Sequence, residues 1–115
     1  MHDLIIIGAG PAGLSASVYA SRYGIKHVIL GEVAGGLLTQ TFDVGNWLGT
    51  EAIRGQTFAD NAAKHAKSYG VEILPLTVER ITNQGAIFEV SASGKIFQTK
   101  TILVATGTKH RHLGV

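Results

Sequence analysis

Three glycines near the start of the chain constrain its fold more than any other feature. Gly8, Gly10 and Gly13 follow the apolar run Leu4-Ile5-Ile6-Ile7 and open a helical pattern over residues 13–23. The first glycine of such a motif permits a tight turn out of a strand, the second lets a ligand approach the backbone, and the third lets a helix pack close to a sheet. The spacing therefore predicts a strand, a tight loop and a helix.

A second apolar run places this loop in a larger unit. Gly24 ends the predicted helix, and residues 27–30 form a second short, buried strand. Strand, helix and strand within about 30 residues make a βαβ unit, whose crossover is right-handed. In that context the motif predicts a site for the pyrophosphate of a dinucleotide, held by backbone N–H groups at the first turn of the helix. A glycine-rich turn without a ligand is the alternative.

A dinucleotide site of this kind also needs an acid about 20 residues further on, to accept hydrogen bonds from a ribose. Glu32 follows the second strand, one position later than usual, and Gly31 occupies the usual position. Two roles remain open for Glu32, namely a ribose ligand and an exposed loop carboxylate.

The rest of the chain continues the alternation of strands and helices. Residues 31–55 are predicted to form a long loop, residues 57–69 a helix that ends at Gly70, and residues 71–74 a strand. Three weaker strands over residues 77–81, 86–90 and 95–99 indicate an antiparallel meander, and residues 101–105 a further buried parallel strand. The predicted fold class is α/β, with a Rossmann-like βαβ unit, a parallel sheet and a small antiparallel meander.

Composition excludes several functions. The 115 residues carry a formal net charge of +2, too small and too dispersed to indicate nucleic-acid binding. No apolar run approaches the roughly 20 residues of a membrane span, and we expect a cytoplasmic protein without membrane contact. The chain has no cysteine, so it cannot itself form a disulfide or a redox dithiol. We find no residue set that predicts a metal site or acid–base catalysis. The basic run 109–112 is either a surface turn or a phosphate contact.

Four segments carry a resemblance to a known family. They are Ile5-Ile6-Ile7-Gly8-Ala9-Gly10-Pro11-Ala12-Gly13-Leu14, Gly35-Gly36-Leu37-Leu38-Thr39, Val44-Gly45-Asn46-Trp47-Leu48-Gly49 and Ala105-Thr106-Gly107. Together they resemble the N-terminal part of the FAD-binding domain of the low-molecular-weight thioredoxin reductase family, within the pyridine nucleotide-disulfide oxidoreductase-like flavoproteins. The similarity covers nearly the whole chain and implies FAD as the cofactor.

The resemblance also implies which residues contact FAD. With the residues singled out by the motif itself, the predicted cofactor-binding set is Gly8, Gly10, Pro11, Ala12, Gly13, Gly31, Glu32, Gly36, Leu37, Leu38, Asn46, Val78, Ala105, Thr106 and Gly107. Leu37 departs from the family pattern because glutamine is usual there. Gly45 and Leu48 replace a glutamate and a proline, and Gly31 replaces the ribose acid.

The family's remaining parts are not found in these residues. Members carry a second glycine motif for NADPH, a C-x-x-C pair and a segment that returns to the flavin; none of these occurs in residues 1–115. We therefore expect 1–115 to be the N-terminal portion of a flavin domain, leaving one side of its sheet and half of the flavin site uncovered.

The function implied for the intact enzyme is hydride transfer from a nicotinamide to the flavin and on to a disulfide or another acceptor. Its implied partners are NAD(P)H and a protein or small-molecule electron acceptor, and it is implied to be a homodimer. We expect the 115 residues alone to be inactive. The alternative is a stand-alone, non-catalytic module that binds NAD, ADP or FAD, or an inactive fragment.

Overall fold

A computed structural model describes residues 1–108 of the chain. Its strands are β1 (His2–Ile7), β2 (His27–Leu30), β3 (Asp43–Val44), β4 (Ile53–Arg54), β5 (Ile73–Leu74), β6 (Val78–Asn83), β7 (Phe88–Ala92) and β8 (Lys95–Val104). The helices are α1 (Pro11–Arg22) and α2 (Gly55–Lys67), and a 3-10 helix spans Gly36–Gln40. The basic run 109–112 lies outside the described residues.

Six of the strands form one mixed sheet in the order β5-β2-β1-β8-β7-β6. Strands β5, β2, β1 and the end of β8 run parallel, while β6, β7 and the start of β8 are antiparallel. Strands β3 and β4 form a separate antiparallel pair. The predicted α/β class with a parallel sheet and an antiparallel meander is therefore confirmed.

The uninterrupted apolar runs of β1 and β2 are explained by burial on both faces of the sheet. On one face, the side chains of Ile5, Ile7, Val28, Leu30, Val90 and Ala92 form a core that the meander completes. On the other face, the helices cover a second core whose buried members are Ile6, Ala9, Leu14, Ile29, Ala63 and Ala66. The cover ends at the last residues of β8, where Leu103 is 37% and Val104 63% exposed.

Two sequence predictions about the elements were wrong. Residues 95–99 and 101–105 are not separate strands, because β8 runs unbroken from Lys95 to Val104. Thr99 pairs with Phe88 of β7 on one side and with His2 of β1 on the other, so it joins the antiparallel and parallel halves. Residues 31–55 are not simply a loop, because they contain the 3-10 helix and the β3–β4 pair.

No helix among residues 1–108 is long and apolar enough to cross a membrane.

Candidate functional site

A cleft of about 730 Å³ opens where β1, β2 and β8 end, at the first turn of α1. In open α/β sheets, ligands bind at the carboxyl ends of parallel strands. Most of the predicted cofactor residues line this cleft, although they come from five separate parts of the chain: Gly8, Gly10, Pro11, Ala12, Gly31, Glu32, Gly36, Leu37, Val78, Ala105, Thr106 and Gly107. The structure therefore assembles them at one site.

Two of the three motif glycines are required by the fold itself. Gly8 has φ +117°, and a Cβ there would lie 2.0 Å from the carbonyl oxygen of Ala105. A Cβ on Gly13 would lie 1.9 Å from the carbonyl oxygen of Gly8. Gly13 is buried in α1 and does not line the cleft. Its role is thus the close packing of α1 against the loop, as the motif predicts for its third glycine.

Gly10 differs from these two glycines, because an added Cβ would not clash with its surroundings. A Cβ on Gly10 would find only the Cα of Gly36 within 4 Å, at 3.8 Å. Gly10 is also the N-cap residue of α1, and no side chain caps this end of the helix. The first N–H groups of a helix have no partners within it, and its dipole favours an anion there. This bare, open helix end fits a pyrophosphate group.

The ionisable side chains that line the cleft are consistent with a phosphate bound through backbone N–H groups. Among the described residues that line it, Glu32 alone has an ionisable side chain. A phosphate bound there would therefore be stabilised by the N-terminus of α1, since no lysine or arginine of residues 1–108 lines the cleft.

The glycine at position 31 is explained by its close contact with Ala9. A Cβ at residue 31 would lie 2.7 Å from the backbone nitrogen of Ala9 and 2.8 Å from its Cβ. No side chain fits in this backbone arrangement, so the carboxylate stands one residue later, at Glu32. There it is exposed, lines the cleft and accepts a hydrogen bond from the hydroxyl of Thr77.

Leu38 and Asn46 lie apart from the other predicted residues. They line a neighbouring cavity of about 550 Å³, between the helices and the β3–β4 pair. Trp47 also lines this cavity and packs edge-to-face against Phe58 of α2, with ring centroids 5.2 Å apart. Pro11 borders both spaces. The two cavities therefore meet at the start of α1.

Two residues with clear roles were missing from the predicted set. Thr77 lies 45 positions from Glu32, and no local pattern connects them. Gly35 belongs to the quoted Gly35-Gly36 pair; its N–H donates to the carbonyl of Ala9 at 2.6 Å, and a Cβ there would lie 2.2 Å from that of Ala59. The doubled glycine was the signal that could have identified it.

The fold and the cleft are those of an α/β dinucleotide-binding domain. The family model for pyridine nucleotide-disulphide oxidoreductase matches residues 2–115, and the chain belongs to that family. It is 34% identical to a thioredoxin reductase of Listeria monocytogenes over 115 residues, which cover 99% of this chain and 36% of that protein.

Solved structures agree with this assignment. A thioredoxin reductase of Lactococcus lactis superposes with a TM-score of 0.95 at 34% identity, covering 100% of this chain and 38% of the other. One from T. acidophilum gives 0.93 at 39% identity, covering 99% and 38%. The chain thus spans little more than a third of the length of these relatives. The resemblance to the N-terminal FAD-binding part of thioredoxin reductases is confirmed.

Proposed function

We propose that this chain is the FAD-binding region of a thioredoxin reductase-like, NAD(P)H-dependent flavoprotein oxidoreductase. The observation that carries the proposal is the uncapped N-terminus of α1 at Gly10, which lines the cleft and touches Gly36. Membership of the pyridine nucleotide-disulphide oxidoreductase family supports FAD as the dinucleotide bound in this cleft. When bound, FAD would supply the redox chemistry, and the protein its position and electrostatic environment.

Different residues of the cleft would contact different parts of FAD. The backbone of Gly10, Pro11 and Ala12 would hold the pyrophosphate, and Glu32 would accept hydrogen bonds from the adenosine ribose. Val78 lines the cleft next to Thr77, which bonds Glu32, and its backbone would pair with the adenine. Gly36, Leu37 and Leu38 would lie along the pyrophosphate, the ribityl chain and the flavin, and Asn46 would bond the cofactor near the isoalloxazine ring. Ala105, Thr106 and Gly107 would let the dinucleotide approach the end of β8.

The whole enzyme's activity belongs to the same proposal. We propose NAD(P)H as electron donor, a disulfide or another protein or small-molecule electron acceptor, a homodimeric assembly and a cytoplasmic location. Any redox dithiol would lie outside these residues, because the 115 residues contain no cysteine.

The test is cofactor retention. The purified chain, incubated with FAD and desalted, is expected to carry a flavin absorbance spectrum that differs from that of free FAD. Titration with NAD⁺ under the same conditions is expected to give weaker binding. A colourless product that binds NAD⁺ more tightly than FAD would refute the proposal.

A further inference from the structure

Glu32 is joined to a distant part of the sheet by hydrogen bonds. The hydroxyl of Thr77, just before β6, donates to Oε1 of Glu32. A carboxylate has two oxygens, so the second one is left for a ligand. Both residues line the cleft. The bond thus crosses from the β2 side of the cleft to the meander.

Thr77 is itself held by the turn between β7 and β8. Its N–H donates to the hydroxyl oxygen of Ser93 at 3.0 Å, and its carbonyl accepts from the N–H of Ser93 at 3.1 Å. The next residue of the turn, Gly94, donates its N–H to the carboxylate of Glu79 at 3.3 Å. The turn is therefore docked on the segment that enters β6.

Ser93 is an unusual choice for this turn. Ser93 and Gly94 connect the two strands with φ +46° and +81°, and such two-residue turns favour Asn-Gly or Gly-Gly because both residues need positive φ. Among residues 1–108, Ser93 is the only residue other than glycine with positive φ. A serine here keeps a hydroxyl that Asn or Gly would not supply, and that hydroxyl bonds the N–H of Thr77.

We infer that Thr77, clamped by Ser93, is a positioning residue that aims the carboxylate of Glu32 at the ribose hydroxyls of the bound dinucleotide. This inference rests on the proposed function. It assigns the meander a role in ligand recognition. The hydrogen bond from Thr77 to Glu32 would also compensate for Gly31, where a carboxylate could not be placed without meeting Ala9. The chain of contacts from Ser93 through Thr77 to Glu32 would fix an otherwise exposed side chain.

The experiment compares two nucleotides by calorimetric titration of the full chain. ADP offers the ribose hydroxyls, whereas 2′,3′-dideoxy-ADP lacks them. The unaltered chain is expected to prefer ADP. Thr77→Val, which keeps the side-chain shape, is expected to weaken ADP binding about fivefold, the value of roughly one hydrogen bond, and to leave dideoxy-ADP binding unchanged. Thr77→Ser keeps the hydroxyl and is expected to restore the preference.

Ser93→Gly separates positioning from folding. Glycine suits the positive φ of the turn, so the thermal midpoint is expected to stay close to that of the unaltered chain, while the preference for ADP falls. Equal weakening of both nucleotides in Thr77→Val, or an unchanged preference in both variants, would overturn the inference while leaving FAD binding intact. Absence of binding of both FAD and ADP to the unaltered chain would overturn the proposed function as well.

Discussion

The carbonyl oxygen of Ala105 lies 2.0 Å from the position that a Cβ on Gly8 would occupy. The end of β8 therefore touches the glycine loop so closely that only glycine fits. The N–H of Ala105 also donates to the carbonyl of Ile7 at 2.8 Å. The first turn of the motif and the last described strand thus form one wall of the cleft.

The first prediction contrasts Gly8 with Gly10. Gly8→Ala is expected to lower the free energy of unfolding by about 3 kcal/mol or more, because of the clash and the positive φ. Gly10→Ala places its methyl group 3.8 Å from Gly36, so it is expected to cost no more than about 1 kcal/mol, as alanine does at an N-cap, and to bind FAD about tenfold more weakly. Urea denaturation and flavin absorbance measure the two effects. Undiminished FAD affinity in Gly10→Ala would contradict the proposed phosphate site.

The second prediction concerns Gly31. Gly31→Ala is expected to destabilise the chain by about 1–3 kcal/mol through overpacking against Ala9. Gly45→Ala is the matched control, because a Cβ at Gly45 meets nothing closer than the carbonyl oxygen of Glu51 at 3.8 Å. The control is expected to stay within about 0.5 kcal/mol of the unaltered chain. Equal thermal midpoints for the two variants would show that Ala9 yields to a side chain at residue 31.

The third prediction concerns a partly buried hydrogen bond between α1 and β2. The hydroxyl of Ser17 is fully buried and lies 2.7 Å from Nε2 of His27, whose Nδ1 donates to the carbonyl of Ile25 at 2.8 Å. Ser17→Ala is expected to cost about 1 kcal/mol, because Nε2 loses its protein partner. Urea unfolding with an unchanged m-value would measure it. A variant as stable as the unaltered chain would show that the bond contributes nothing net.

The fourth prediction concerns pH. Burial first, then the positive charges of Lys26 and the chain's amino group, lower the pKa of His2 below its usual 6.5. The charged form of His2 is disfavoured in the folded state. Well above pH 6.5 His2 is neutral in both the folded and the unfolded chain, so its protonation then has no effect on folding stability. As the pH falls from about 6.5 through the lowered pKa, folding stability decreases and then levels off.

The measurement is a set of unfolding curves between pH 8 and pH 5. His2→Gln is the control, and it is expected to flatten the pH dependence of folding stability in this range. Lys26→Gln is expected to move the His2 titration upward in an NMR experiment, since it removes one of the repelling charges. A titration that moves downward would refute the stated cause.

Local patterns predicted much of the fold and site. The apolar run Leu4-Ile5-Ile6-Ile7 followed by Gly8 predicted β1 and its loop, and residues 27–30 predicted β2 with the bounds that the structure has. Both succeed because burial on two faces imposes an unbroken apolar run. The joining of residues 95–104 into one strand escaped prediction. The predicted break fell at Lys100, within the polar run 98–101. Thr99 in that run is nevertheless fully buried between two neighbouring strands.

The sequence alone determined the βαβ unit and its glycine loop, because glycine spacing and apolar periodicity depend on neighbours along the chain. Only the tertiary structure decided how the other site residues combine. It placed Leu38 and Asn46 in the neighbouring cavity, brought Thr77 to Glu32 across 45 positions, and showed that Ala9 excludes a side chain at Gly31. Those relations arise from contacts between distant segments, whose distances depend on how the sheet and its turns pack.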